Sequence, residues 1–281
     1  RRFEEPDRIT GSFAFWSPST VGAEGVSSRE FYSNPEKMYY CQLLALDTFK
    51  HDYPLLFADN YNTEPEALGA RVMFSSDDTP MIVEPLIKEK NDLDRLELPD
   101  PFKDGRLPYR IEICRIHKEI LGKYCPTITS VNAPFSMAVG LRGYQTLIVD
   151  IYEDPDFVHN LLEFCTQVII TFGKAIKSSC GSYPSLSDAW SSIPNLSPEM
   201  FFEFSFPYAA RCLQVFEHSG WSLGGGNQFS DDWKKSLRRI LTSGLKSLIP
   251  FEENITEIRG GNIIDLKETK DICSKRGVFL Y

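Results

Sequence analysis

Residues 54–71, PLLFADNYNTEPEALGAR, decide how the rest of the chain is read. Residues 54–58 form a short apolar run of the kind shown by a strand buried on both faces. Directly behind it come Asp59, Asn60, Tyr61, Asn62, Thr63 and Glu64, an unbroken row of hydrogen-bonding side chains. In a β/α protein, side chains converge on a bound molecule at the C-terminal ends of the strands. A buried strand that empties into a carboxylate, two amides and a phenol is therefore a candidate wall of a site. The same residues also suit an ordinary βα loop in which Asp59 or Asn60 caps the following turn.

Upstream, residues 9–16 (ITGSFAFW) read as an opening strand. Asn34-Pro35-Glu36 is a helix start, with an amide N-cap and proline at the first helical position. Cys41, Leu44, Ala45 and Phe49 then recur at helical spacing on one face. Downstream, residues 71–87 alternate around Asp77-Asp78-Thr79-Pro80, which predicts a hairpin on the rim of the fold. A helix is expected over 109–121, and a strand over 127–131 that ends in Asn132-Ala133-Pro134-Phe135.

Asp154-Pro155 opens the longest helix, with Val158, Leu161, Leu162, Cys165, Ile169, Phe172 and Ile176 as its buried face and Gly181 as its stop. Residues 183–187 form a strand running into Asp188. Ser197-Pro198 opens a helix kinked at Pro207 and stopping at Gly220. A strand at 221–223 runs into Gly224-Gly225-Gly226-Asn227; Ser230 caps a helix to Ser243; strands follow at 245–250 and 277–281, with a helix from Asp265 between them.

Strand and helix alternate throughout, so the sheet is parallel, either a barrel or a doubly wound sheet. This reading counts seven strands where a closed (β/α)8 barrel needs eight. One domain over 1–281 that lacks its C-terminal strand is the expectation.

Composition narrows the function. The chain has 281 residues, 42% hydrophobic and 25% charged, with net charge −9 and a pI near 5.1. An acidic chain without long Lys/Arg runs is a poor partner for nucleic acid. Seven cysteines are scattered, odd in number and never spaced CxxC, so reduced buried thiols and a cytoplasmic setting are expected. No stretch approaches the roughly 18 apolar residues of a membrane span, and the first residues, RRFEEPDRIT, carry no apolar signal core.

Several segments together resemble the uroporphyrinogen decarboxylase superfamily. They are Phe57-Ala58-Asp59 followed by Glu66-Ala67-Leu68-Gly69-Ala70; Pro99-Asp100-Pro101 with Asp104-Gly105-Arg106-Leu107-Pro108; Ala133-Pro134-Phe135-Ser136-Met137-Ala138 with Leu141-Arg142-Gly143; Ser187-Asp188-Ala189 before Ser197-Pro198-Glu199-Met200-Phe201; and Gly226-Asn227. The resemblance implies a (β/α)8 TIM-type barrel with its site at the strand C-termini. It also implies two candidate activities: decarboxylation of uroporphyrinogen, or methyl exchange with a corrinoid-bearing partner protein.

The chain departs from both branches. The decarboxylases carry an arginine-rich R-Q-A-G-R-Y motif after the first strand, whose guanidinium groups hold the substrate's carboxylates. Here the matching region is Trp16-Ser17-Pro18-Ser19-Thr20, and no arginine lies between Arg8 and Arg29. The thiol-alkylating methyltransferases carry H-x-C-G-N after the fifth strand as zinc ligands, because zinc holds a thiol as thiolate near neutral pH. Aligned on Gly226-Asn227, those positions are Leu223 and Gly225, so no zinc is expected there.

The resemblance then points to Asp59, Asp188 and Asn227 as the catalytic candidates, with Trp16, Asn60, Tyr61, Asn62, Trp190, Gln228 and Glu252 around the substrate. Carboxylates, amides and aromatics suit a neutral or cationic ring compound held by stacking and hydrogen bonds. Structural alternatives stand beside each: loop capping for Asp59, backbone satisfaction for Asp188, a positive-φ turn for Asn227. His51, His117, His159 and His218 fall within or just after helices and read as structural.

The expected activity is methyl transfer between a small O- or N-methyl compound and the cobalt of a separate corrinoid-binding protein. No metal and no tightly bound cofactor are expected on the chain itself. A decarboxylase, or a family member that binds without catalysis, is the alternative.

Overall fold

The computed structural model describes residues 18, 23–56, 59, 61–75, 79–191, 195–217, 219–222, 233–243, 247–249 and 266–280. The hairpin expected at 71–87 is present as β1 (Val72–Met73) paired antiparallel with β2 (Met81–Ile82). The main sheet holds five parallel strands: β3 (Ser130–Asn132), β4 (Ser185–Ser187), β5 (Gly220–Ser222), β6 (Ser247–Ile249) and β7 (Phe279–Leu280). Their spatial order equals their chain order, β3-β4-β5-β6-β7. A doubly wound sheet reverses order at a switch point; this one never does, which is the winding of a barrel. The sheet also extends beyond β3, because the Leu56 N–H donates to Ile128 O at 3.0 Å and Thr129 Oγ1 donates to Leu56 O at 3.0 Å. Residues 54–56 thus lie against the sheet as read from the sequence, though without a regular ladder; 57 and 58 lie outside the described residues, as does the strand expected at 9–16.

Successive residues of a strand face opposite sides of the sheet. Register therefore sorts the sheet into two faces. Val131, Leu186 and Trp221 stand side by side, with Leu248 and Leu280 next in register. Val131, Leu186 and Trp221 are buried, and Trp221 stacks on Phe201 at 5.8 Å between ring centroids, so this row meets the helical layer. The opposite face carries Ser130 beside Ser185, and Asn132 beside Ser187 and Ser222, and continues in register through Ser247 and Ile249 to Phe279. That face, small and polar over β3 to β5, looks into the lumen.

The helices form α1 (Ser28–Phe31), α2 (Pro35–Phe49), α3 (Thr63–Ala67), α4 (Leu107–Ile120), α5 (Pro134–Arg142), α6 (Tyr144–Glu153) and α7 (Pro155–Cys180) in the first two-thirds. In α2, Asn34 Oδ1 accepts from Lys37 N at 2.9 Å, the cap that the sequence announces. Its buried face is Met38, Tyr39, Cys41, Gln42 and Ala45, whereas Phe49 is 47% exposed; the stripe is rotated from the expected one because α4 packs on that side. In α7, Asp154 Oδ1 caps the Phe157 N–H at 3.2 Å, Gly181 ends the helix at φ 88°, and all seven expected core positions are fully buried.

The helix expected from Ser197 is three pieces: α8 (Pro198–Met200), a π-helical turn (Phe201–Ser205), and α9 (Phe206–Val215). Pro207 has no N–H to place in an α-helical ladder, and the widened turn just ahead of it absorbs the defect. The helix ends at Val215; Gly220 instead opens β5. Then come α10 (Trp233–Ile240) and α11 (Leu266–Ser274). Gly173 of α7 makes room for Phe216, since a Cβ there would lie 2.1 Å from the Phe216 Cζ.

The seven cysteines are free thiols; Cys125 is half-buried and the other six are buried. His117 is buried between Tyr39 Oη and Pro126 O, each at 3.2 Å, and His159 stacks on Phe204 at 4.8 Å. Among the described residues, no helix is long and apolar enough to cross a membrane.

Candidate functional site

Asp59 follows the 54–56 segment with φ 55°, a left-handed conformation that Asp and Asn tolerate better than other side chains. Its carboxylate is 4% exposed and ion-paired with Arg106, and Asn62 Nδ2 donates to its Oδ1. Arg106 simultaneously donates to Glu66 Oε2 and to Tyr32 O, and lies 4.9 Å from the Phe74 ring centroid. Gly105 (φ 52°) lets the chain bring Arg106 there, because a Cβ at that position would sit 2.8 Å from the Ala67 amide nitrogen. Two segments distant in sequence, 66–70 and 104–108, are thereby one structural unit around Asp59. Burial pushes the Asp59 carboxyl above its ordinary value, and the Arg106 guanidinium pulls in the other direction. Asn62 is fully engaged as well: its Nδ2 also donates to Pro80 O at 2.7 Å, and its Oδ1 accepts from Ile82 N at 3.2 Å, pinning the β1–β2 hairpin over the mouth.

Asp188 directly follows β4 and is fully buried. Ser136 Oγ donates to one carboxylate oxygen at 2.8 Å and Ser205 Oγ to the other at 3.1 Å, which ties the β4 loop to α5 and to the π-helical turn. Burial raises its pKa, opposed by the surrounding hydroxyls and the Trp221 indole. Tyr61 Oη and Ser187 Oγ are 2.8 Å apart, so the loop after residues 54–56 meets the C-terminal end of β4. Asp59 and Asp188 accordingly stand at the same end of the sheet.

Between these loops lies a cleft of about 330 Å3, lined by Tyr61, Asn62, Ser136, Tyr144 and Trp190 and by Ile82–Pro85 of the hairpin. Tyr144 and Trp190 have ring centroids 5.5 Å apart, and the Tyr144 hydroxyl donates to Asn195 O at 3.0 Å. Among the described lining residues there is no lysine or arginine, and the one charged residue is Glu84, held by Lys88 at 2.6 Å. The structure thus brings Tyr61, Asn62 and Trp190 together in one cleft and puts Asp59 and Asp188 just behind its wall. Trp16, Asn60, Asn227, Gln228 and Glu252, together with Leu223 and Gly225, lie outside the described residues. Among the described residues, no group of three or more His, Cys, Asp or Glu is disposed to hold a metal ion.

A family model described as uroporphyrinogen decarboxylase (URO-D) matches residues 20–237. The chain belongs to the uroporphyrinogen decarboxylase superfamily. Among curated relatives, a protein named uroporphyrinogen decarboxylase from Anaeromyxobacter dehalogenans is 29% identical over 206 residues, which cover 69% of this chain and 58% of that protein. One of the same name from Xanthomonas campestris is 27% identical over 190 residues, 66% of this chain and 52% of that protein. The chain therefore spans little more than half the length of these relatives. A solved methyltransferase from Methanosarcina mazei superposes with a TM-score of 0.81 at 19% identity, over 99% of this chain and 78% of that one. At that identity the likeness speaks for the fold, a (β/α)8 TIM-type barrel, in agreement with the unreversed strand order seen here.

Two features of the mouth lay outside the sequence reading. Arg106, 8% exposed, is the partner that fixes Asp59, and the pair closes across 47 positions of sequence. Asn132 is the last residue of β3 and faces the lumen, whereas the sequence pattern ended that strand at Val131.

Proposed function

We propose that this chain is an enzyme of the methyl-transferring branch of the superfamily, moving a methyl group between a small O- or N-methyl compound and a corrinoid carried by a partner protein. The observation that carries the reading is the cleft: its walls are aromatic and apolar, with no cation among the lining residues. Three buried arginines stand near the mouth, and all three are committed. Arg106 serves Asp59 and Glu66, Arg110 donates to Thr63, Thr129 and Ser130, and Arg142 pairs with Asp150 at 2.7 Å. A polycarboxylate such as uroporphyrinogen would find none of these three guanidinium groups free, whereas a small neutral ring would stack on Tyr144 and Trp190.

The rim supports a macromolecular partner. Met73 and Met81 face each other across the hairpin, each 56% exposed, with Val83 and Trp190 exposed beside them. A partner-borne reduced corrinoid would supply the nucleophile for the methyl group. This chain's part is to hold the ring, exclude water, and donate a hydrogen bond to the leaving atom. In this reading the Tyr61 hydroxyl, 2.8 Å from Ser187 Oγ, would make that donation while accepting from Ser187.

The test mixes the protein with a reduced corrinoid protein and a panel of phenyl methyl ethers, methylamines and methylated pterins, and follows the cobalt absorbance. A methyl-donor-dependent spectral shift is expected. Silence across the panel together with decarboxylation of uroporphyrinogen would return the chain to the activity for which its curated relatives are named.

A further inference from the structure

Barrel lumens are ordinarily packed with bulky branched side chains. On β3, β4 and β5 the lumen face here is instead made of Ser130, Asn132, Ser185, Ser187, Gly220 and Ser222, by the alternation that sends Val131, Leu186 and Trp221 to the helices; Ser247 and Ile249 of β6 and Phe279 of β7 continue that face in register. Ser185 Oγ is engaged with Thr129 O at 3.2 Å and Ser187 Oγ with Tyr61 Oη. Asn132 is different. Its backbone N–H donates to Glu64 Oε1 at 2.8 Å, its side chain is fully buried, and neither Nδ2 nor Oδ1 has a partner among the described residues.

Leaving a buried polar group without a partner is destabilising, and such groups in folded proteins are satisfied by protein, water or ligand. The amide also has little freedom to seek a partner elsewhere. Asn132 is anchored through Glu64, itself fixed by Thr63 Oγ1 at 2.7 Å, and α5 begins two residues later at Pro134. Asn132 stands beside Ser187 in register, and Ser187 Oγ bonds Tyr61, a residue of the cleft lining, so the polar face lies next to the aromatic cleft.

We propose that Asn132 is a substrate-recognition residue that reads the donor–acceptor edge of an amide-type group, such as a carboxamide or a ring lactam, on a planar ligand whose other end occupies the cleft. The reason is complementarity. An asparagine side chain offers an N–H donor and a carbonyl acceptor in one plane, and both are unfilled. An amide edge supplies one acceptor and one donor and fills both. A carboxylate supplies acceptors only and would leave Oδ1 unpaired. The inference rests on the mouth being the substrate site, and it does not depend on methyl transfer being the reaction.

The test is calorimetric titration without any corrinoid, using benzamide and 2-pyridone as probes and benzoate as the isosteric acid. The wild type is expected to bind both amide-type probes and to bind benzoate at least tenfold more weakly. Asn132→Ala is expected to weaken the amide probes by about ten- to a hundredfold, the loss of one to two buried hydrogen bonds. Asn132→Asp, which presents acceptors only, is expected to lose benzamide and to gain benzamidine, a probe with donors only; this exchange of preference also serves if the alanine variant fails to fold. Equal binding of benzamide and benzoate, no binding of either amide probe, or an Asn132→Asp protein with unchanged preference would each overturn the proposal. Failure of methyl transfer alone would leave these titrations unaffected, so the two readings fail separately.

Discussion

Replacing Arg106 with methionine would strip the buried counter-charge from Asp59 while keeping an unbranched stem over Phe74. Asp59 is 4% exposed and Arg106 is 8% exposed, so solvent screens their attraction little. Removing one member of a buried pair typically costs about 3–5 kcal/mol, because the other charge is stranded. Glu66, the second carboxylate on Arg106, keeps a side chain that is 21% exposed and regains water, which places the expectation near the lower bound. A loss of about 3 kcal/mol corresponds to a melting temperature about 5 °C lower for a chain of 281 residues. Asp59→Asn in the Arg106→Met background removes the stranded charge, and asparagine tolerates φ 55° as aspartate does. The double variant should therefore recover about 1–3 kcal/mol relative to additivity. Urea unfolding of the four proteins measures the cycle. An Arg106→Met protein within about 1 kcal/mol of wild type, or strict additivity, would mean that this pair does not hold the loop. The same Asp59→Asn protein tests the catalytic assignment: a general acid at Asp59 would show a turnover slowed by about 10²–10⁴-fold with affinity little changed.

Gly173→Ala should destabilise the fold by about 1–3 kcal/mol in spite of alanine's higher helix propensity. The new Cβ would meet the buried Phe216 ring, itself stacked on Tyr183 at 5.2 Å, and Phe216→Leu should restore part of the loss in a thermal melt. Asp188 has its pKa raised by burial, so its contribution to stability is present below the ordinary carboxylate value of 3.8 and is lost as pH rises through the folded value. Relative to Asp188→Asn, the wild type should therefore gain stability as pH falls from about 7 toward about 4; parallel urea midpoints over that span would refute it. Asp154→Ala, which removes the cap on the Phe157 N–H and the Lys90 contact at 2.8 Å, should cost about 1 kcal/mol in the same assay. Trp190→Ala should weaken ring-shaped ligands by roughly tenfold without changing the melting temperature, given its 38% exposure; unchanged affinity would remove Trp190 from the site.

The elements whose rules are local were legible in the chain. Asn34-Pro35 and Asp154-Pro155 announce helix starts by side-chain caps, Gly181 announces a stop by its positive φ, and the α7 stripe was readable residue by residue because an amphipathic helix records its buried face in the spacing. What depends on distant partners was not. The α2 stripe turned toward Met38 and Gln42 because α4 decides which side is covered, and that is a tertiary fact. The break before Pro207 was expected as a kink and took the form of a π-helical turn. At the mouth, strand ends in the sequence marked Asp59, Tyr61, Asp188 and Trp190, which the fold brings near one another, but the engagement of Asp59 by Arg106, and of Asn62 by Pro80 and Ile82, follows from loops meeting in space. The lumen position of Asn132 needed the register of β3 against β4.

The central claim is that the mouth of this barrel moves methyl groups. Its most direct test is to follow a deuterium-labelled methyl group from an O- or N-methyl donor to the corrinoid partner by mass spectrometry, with wild-type protein beside Tyr61→Phe and Trp190→Ala. The account predicts label on the corrinoid that depends on the wild-type protein and falls in both variants. Label that never leaves the donor, with uroporphyrinogen losing carboxyl groups in a parallel reaction, would contradict it.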